Sequence, residues 1–224
     1  VLLEQFKVRS LKGFDCAGLD AGVRAAGAAL AYLQDNQRAA VTHIHRLRRR
    51  RRDDCLLLDA TAQRNLDLLV NQHDGGRDGT LLSVIDRTRT VMGARLLRQW
   101  LASPLRAPIA IGARLDAVAS LVTDRAGRTR VRDQLEHVGD VERMMARICC
   151  RRASPRDLAG LASSLETLPE LAAETRTFAA DLLQRLGSAE QLPLVEDLVG
   201  LVRGALVDEP PASLADGGII RDGF

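Results

Sequence analysis

Helix start signals followed by apolar stripes are the feature that most limits what this chain can fold into. The strongest is at Ser154-Pro155-Arg156-Asp157, where a capping serine precedes a proline at the first helical position and an acid in the first turn. The apolar residues that follow recur with the period of an α-helix: Leu158, Leu161, Ala162, Leu165 and Leu168. Because a helix with one apolar face is stable only when that face is covered, the pattern predicts several helices packed together.

Similar patterns recur along the chain. Asp140 is predicted to cap a helix with an apolar stripe on one face, and Pro108 is predicted to open a helix that runs to Val122. Further helices are predicted for the alanine-rich stretch from Leu19 to Gln37, for Thr90 to Leu101 with the stripe Met92, Leu96 and Trp100, and for Val195 to Leu206. The sequence therefore predicts a mostly α fold.

Strand signals are few. Cys55 to Leu58 is a short apolar run, and Ser213-Leu214 and Ile219-Ile220 flank a turn sequence that predicts a small hairpin. We therefore predict a multi-helix core domain with minor short β-strands. A connecting tail is expected over residues 1–15, followed by one helical domain over 16–224.

Charge and cysteine content exclude several classes of protein. A formal net charge of +3 with 27% charged residues is not the strongly basic balance of a dedicated nucleic-acid-binding domain. The four cysteines form no CxxC pair, which predicts reduced, intracellular thiols. No apolar run approaches the roughly 18 residues of a membrane span, and we see no signal peptide, so a cytoplasmic location without membrane contact is expected. From its first and last residues, Val1 and Phe224, we expect the chain to be a segment of a longer protein.

No catalytic constellation is visible in the sequence. The two lysines, Lys7 and Lys12, lie outside any phosphate-binding loop, so ATP hydrolysis by that route is not expected. His43 and His45 offer two metal ligands where zinc needs three or four. We predict no catalytic residue, no metal site and no cofactor in this chain.

The sharpest charge feature is a run of arginines. Its members are the candidate nucleic-acid contacts Arg48, Arg49, Arg50, Arg51 and Arg52, with Arg46 just before them. Consecutive positive charges attract phosphate without sequence preference. The alternative, which we favour, is a solvated loop partly neutralised by Asp53 and Asp54. Structural roles are predicted for Gly93, Arg95 and Trp100, with Trp100 as a core anchor.

Several motifs in this order resemble the MutS family of DNA mismatch-repair proteins. They are Leu58-Asp59-Ala60-Thr61, Arg64-Asn65-Leu66, Thr80-Leu81 with Ile85-Asp86, Met92-Gly93 with Arg95, Trp100-Leu101, Pro104-Leu105, Gly139-Asp140-Val141-Glu142-Arg143, Pro155-Arg156-Asp157-Leu158 and the segment from Gly217 to Phe224. Departures from the family pattern are the Arg48–Arg52 run and the adjacent Cys149 and Cys150. The similarity covers nearly the whole chain.

The resemblance implies a parent protein that scans duplex DNA as a homodimer, recognises mispairs and works with a MutL-type partner in a bacterial, nucleoid-associated setting. This segment is similar to the family's helical core, or lever, which joins an ATPase domain to a DNA-holding clamp. ATP and Mg would then bind the absent ATPase domain, and the clamp would begin just past Phe224. The family's mismatch-wedging Phe-x-Glu motif is not matched at Phe6, Phe14 or Phe178. A stand-alone helical interaction module, the core of a recombination paralogue and a direct nucleic-acid-binding domain stay open as alternatives.

Overall fold

Short and medium helices make up most of the fold. The structure, a computed structural model, describes residues 1–14, 16, 18–36, 41, 44–47, 55–192 and 195–224. Within those ranges the α-helices are α1 (Leu2–Gln5), α2 (Asp20–Asn36), α3 (Ala60–Asn65), α4 (Leu81–Ile85), α5 (Val91–Ala102), α6 (Pro108–Thr123), α7 (Arg125–Glu136), α8 (Val141–Cys149), α9 (Pro155–Glu166), α10 (Leu168–Thr177), α11 (Asp181–Leu186) and α12 (Glu196–Ala205). The mostly α prediction is confirmed. None of the helices in the described part is long and apolar enough to cross a membrane.

The first two helices share a small core. Leu2 of α1 is buried with Leu30 of α2 and with Val41. The side-chain amide of Gln5 donates to the carbonyl oxygens of Val41 and Ile44, at 2.8 and 3.1 Å. These contacts pack α1 against residues that follow position 15 in the chain. The domain boundary predicted at that position stays a prediction.

Local capping signals set the starts of the later helices. The Ser154 hydroxyl accepts from the Asp157 amide while the Asp157 carboxylate accepts from the Ser154 amide, so α9 begins with a reciprocal capping box. Asp140 caps α8 by accepting from the Arg143 amide, and Pro108 occupies the first turn of α6. All three predicted starts are confirmed, because each depends on residues within one turn.

The helices of the second half pack as two neighbouring groups. In one, α9 lies against both α8 and α12. In the other, α10 lies against α7 and α11, and α6 contacts both α7 and α11. Leu161 and Ala162 of the predicted α9 stripe are buried. Leu168, assigned to the same stripe, instead starts α10, because α9 ends at Glu166 and Pro169 opens a new helix.

The β content of the described residues consists of isolated bridges. Cys55 pairs with Leu105, which leaves the predicted strand over 55–58 as a single bridge, and Leu206 pairs with Ile220. The predicted pairing of Ser213-Leu214 with Ile219-Ile220 is therefore wrong. Ser213 and Asp216 form their own capping box around a one-turn 3-10 helix (Leu214–Asp216), which turns this segment away from strand geometry.

Trp100 is not the core anchor that its apolar stripe indicated. It is 41% exposed, and the guanidinium carbon of Arg114 lies 3.6 Å from the centre of its ring. Leu96 is also exposed while Met92 is half-buried, so the later part of the α5 stripe faces outward. The periodic pattern predicted the helix correctly, but it did not predict that Leu96 and Trp100 would be exposed.

Candidate functional site

The predicted nucleic-acid contacts Arg48, Arg49, Arg50, Arg51 and Arg52 lie outside the described residues, as does His43. Arg46 and His45 are exposed. Across the residues that the structure does describe, no three His, Cys, Asp or Glu side chains come together in a way that could hold a metal ion. The functional candidate of the described part is a series of ion pairs that connect α5, α8, α9 and α12.

Arg95 of α5 binds the first turn of α8. Its two terminal nitrogens donate to the two carboxylate oxygens of Asp140 at 2.8 and 2.7 Å, and one of them also donates to Glu142 at 2.6 Å. Asp140 simultaneously caps α8, with its Oδ1 3.2 Å from the Arg143 amide. These donors, Arg95 foremost, lower the pKa of Asp140 from 3.8 to about 2. The two helices are thus joined by a bidentate pair whose carboxylate is ionised at neutral pH.

Arg147 near the end of α8 binds the start of α9. Its Nη1 lies 2.9 and 3.2 Å from the two oxygens of Asp157, the acid of the capping box. The Ser154 amide and hydroxyl donate to the same carboxylate at 2.8 and 2.9 Å. The pKa of Asp157 is therefore lowered, first by the Ser154 amide and further by Arg147. The pair ties α8 to the residue that also starts α9.

Arg203 of α12 binds the last turn of α9. Its Nε and Nη2 donate to the two Glu166 oxygens at 2.8 and 2.7 Å, and Nη2 also donates to the Ser163 hydroxyl at 2.8 Å. Arg203 lowers the pKa of Glu166, and Glu166 raises that of Arg203. This is again a fork-on-carboxylate pair, which fixes orientation as well as distance.

The three pairs form a continuous path through the helices. Arg95 links α5 to α8, Arg147 links α8 to α9, and Arg203 links α9 to α12. Asp140, Asp157 and Glu166, one carboxylate from each link of the path, have lowered pKa values. A carboxylate so held is a poor general base at neutral pH.

Sequence reasoning singled out three residues of this path, but it missed Glu166 and Arg203 and predicted none of the pairings. Asp140 and Asp157 are predicted helix-start residues, and Arg95 has a predicted structural role. Their partners are ten to forty-seven positions away in the chain, beyond the reach of periodicity. The sequence did contain one signal for these pairings. A carboxylate that caps a helix with one oxygen can still accept a hydrogen bond from an arginine.

Two family models together match most of the chain. The family model described as MutS domain III matches residues 61–222, and the one described as MutS domain II matches residues 1–45. A relative described as DNA mismatch repair protein MutS, from Salinibacter ruber (strain DSM 13855 / M31), is 40% identical over 223 residues. That match covers 100% of this chain and 24% of the relative, so the chain spans about a quarter of that protein's length.

Proposed function

The chain belongs to the MutS family, and from that premise we propose that it is the lever segment of a DNA mismatch-repair protein. In this role it joins an ATPase domain at one end to a DNA-holding clamp at the other, so that nucleotide state and grip on mispaired duplex DNA are coupled. The parent protein acts as a homodimer with ATP and Mg in its ATPase domain and with a MutL-type partner. The chain itself serves as structure, with no catalytic residue of its own.

The observation that carries this proposal is the path of ion pairs from α5 to α12. A lever has to move as a unit, and helices joined by arginine–carboxylate pairs, two of them bidentate, in addition to apolar packing resist sliding past one another. Close-packed helices change between discrete arrangements instead of deforming smoothly, so a shift applied at one end reaches the other. Arg95, Arg147 and Arg203 connect α5, α8, α9 and α12 in turn, which is the distribution that such transmission needs.

Arg203→Leu in the full-length parent tests the proposal. The variant removes the α9–α12 pair and leaves the ATPase domain and the mispair-reading residues intact. We expect nucleotide-free mispair binding and ATP hydrolysis to stay close to wild type. The factor by which ATP weakens mispair binding should fall by about twofold to thirtyfold, the range seen for residues on a coupling path. Fluorescence anisotropy with a mispaired duplex, with and without ATP, measures that factor.

Arg98→Leu is the matched control. Arg98 is an exposed arginine of α5 that takes no part in the three pairs, and its loss should leave the coupling factor unchanged. If Arg203→Leu also leaves the factor unchanged while its unfolding midpoint in urea falls, the pair is structural only and the lever proposal is wrong.

Direct binding of nucleic acid is a second candidate, favoured by the five consecutive arginines from Arg48 to Arg52. It predicts an affinity for any duplex that drops steeply with salt. This activity would add to the grip of the parent on DNA without selecting a mispair.

A further inference from the structure

Two adjacent thiols at the end of α8 take no part in the path of ion pairs. Cys149 is the last residue of α8 and Cys150 follows it as the C-cap, and both residues are partly exposed. The other two cysteines stand apart. Cys16 is buried, with its Sγ 3.2 Å from the Phe14 carbonyl oxygen, and Cys55 lies in an isolated β-bridge. Cys149 and Cys150 are therefore the two thiols that the chain itself holds next to each other.

Hydrogen bonds fix the backbone that carries this pair. The Arg151 amide donates to the Ile148 carbonyl oxygen at 2.9 Å. The Arg152 amide donates to the Arg147 carbonyl oxygen at 2.8 Å. Because Arg151 has a left-handed backbone, with φ 54°, this is a Schellman ending, in which the two bonds close the last turn of the helix. The pair lies inside that turn, so its backbone cannot shift far without breaking them.

Such a backbone does not suit a disulfide between the two residues. Adjacent Cα atoms are about 3.8 Å apart across a trans peptide bond, whereas disulfides join Cα atoms roughly 4.4 to 6.8 Å apart. Adjacent side chains on a helix also diverge by about 100°. An atom bonded to both sulfurs holds them further apart than a direct S–S bond of about 2.05 Å does. The helix end therefore favours reduced thiols that are joined through a bridging atom.

The charges beside the pair favour a neutral ligand. Arg151 and Arg152 follow the thiols directly in the chain and are exposed. Their positive charges repel thiol-binding cations such as Cd²⁺ and Hg²⁺. Trivalent arsenic is different, because at neutral pH it exists in water as uncharged arsenous acid, which forms stable bonds to sulfur.

We propose that Cys149 and Cys150 form a vicinal dithiol site that binds trivalent arsenic. Two As–S bonds form and two As–O bonds break, and each departing hydroxyl leaves as water with the proton of one thiol. Arsenic stays trivalent and the sulfurs are not oxidised, so the step needs no oxidant. One arsenic atom then bridges the last residue of α8 and its C-cap.

Phenylarsine oxide is the probe, because its arsenic bonds two thiols with release of one water. The folded full-length parent is titrated with it, free thiols are blocked with N-ethylmaleimide, and trypsin releases peptide 148–151, which contains Cys149, Cys150 and no other cysteine. Mass spectrometry should find one phenylarsenic group on this peptide. A dithiol, 2,3-dimercaptopropanol, should remove the group, and excess glutathione should not.

Single substitutions separate a two-thiol site from attachment to one thiol. Cys149→Ser and Cys150→Ser should each weaken binding by at least about hundredfold, the gain that linking two contacts can give. Cys55→Ser is the matched control and should leave the affinity of peptide 148–151 unchanged. Full binding in either serine variant at positions 149 and 150, or reversal by glutathione, would overturn the proposal.

The folded state has its own test. Modification of peptide 148–151 in urea but not in the folded protein would show that the helix end keeps the sulfurs apart, and would also overturn the proposal. Should a serine variant fail to fold, the unaltered protein decides, because arsenite should protect this peptide from N-ethylmaleimide while the reaction at Cys55 is unchanged. None of these measurements involves DNA or ATP, so their outcome is independent of the lever proposal.

Discussion

At the scale of single residues, Asp140 both caps a helix and pairs with an arginine, and its titration reports on the two together. Its pKa is about 2 in the folded protein against an ordinary 3.8. Because the folded value is the lower one, the stabilisation is complete above pH 3.8 and is lost as pH falls toward 2. Asp157 and Glu166, whose pKa values are also lowered, add to the same acid-side loss.

Arg95→Gln should make that acid-side loss shallower. Without the guanidinium the pKa of Asp140 rises toward its ordinary value, so less stability remains to be lost below pH 3.8. Urea unfolding midpoints at neutral pH and at several acid pH values measure the slope. Arg98→Gln serves as the control and should reproduce the wild-type slope. An unchanged slope in Arg95→Gln would show that the Arg143 amide alone holds the carboxylate.

Ser154→Ala should destabilise the chain by about 1 kcal/mol, because it removes the hydroxyl that caps α9. The matched control is Ser120→Ala in the interior of α6, where alanine is the better helix former and a gain of a few tenths of a kcal/mol is expected. Chemical denaturation followed by circular dichroism gives both values. Equal effects in the two variants would contradict a capping role for Ser154.

The helix-capping residues could be predicted from sequence because each caps an amide within one turn. Ser154 and Asp157 are three apart, and Asp140 caps an amide three positions on, so both starts could be read directly. The exposure of Trp100 could not be predicted, because it depends on how α5 packs and on Arg114 in the next helix.

At the scale of whole elements, α10 and the end of α11 make an unusually close contact. Gly187, just after α11, lies so near α10 that an added Cβ would be 2.6 Å from the Ala172 carbonyl oxygen and 2.9 Å from the Arg176 Cγ. A backbone atom cannot give way as a flexible side chain can. The contact of α10 with α11 therefore depends on glycine at this position.

Gly187→Ala should cost about 1 to 3 kcal/mol of stability, the range for overfilled packing. Gly200→Ala in α12 is the contrasting substitution, because its Cβ would enter open space. Replacing this glycine inside α12 by alanine should raise the free energy of unfolding by about 0.5 to 1 kcal/mol. Thermal unfolding of the two variants should shift in opposite directions, and a neutral Gly187→Ala would mean that the two helices separate easily.

Element boundaries also show where sequence reasoning stops. The helices with strong stripes were placed within a residue or two, as for α2 (Asp20–Asn36) and α12 (Glu196–Ala205). The arginine-rich α7 was missed because it lacks an apolar stripe, and it is held instead by contacts from its own side chains, such as Arg130 to Glu174 at 2.9 Å. Pairing of Leu206 with Ile220 was missed because a capped turn intervenes.

At the scale of the molecule, the lever proposal predicts how the 224-residue chain treats DNA by itself. Duplexes with and without one mispair should bind equally weakly or not at all, and any binding should fall steeply between low and physiological salt. Replacing Arg46 and Arg48–Arg52 by glutamine should remove what binding there is. Fluorescence anisotropy on matched duplexes measures it. A clear preference for the mispair would place recognition in this chain and contradict its role as a lever alone.

The chain contains a single tryptophan, and the guanidinium of Arg114 from α6 lies over its ring. The molecule therefore carries a natural fluorophore where α5 and α6 meet. Exposed to water, the indole should emit at long wavelength and be quenched readily by acrylamide. Separation of Arg114 from the ring would change the emission, so the contact between α5 and α6 can be followed optically in the unmodified chain.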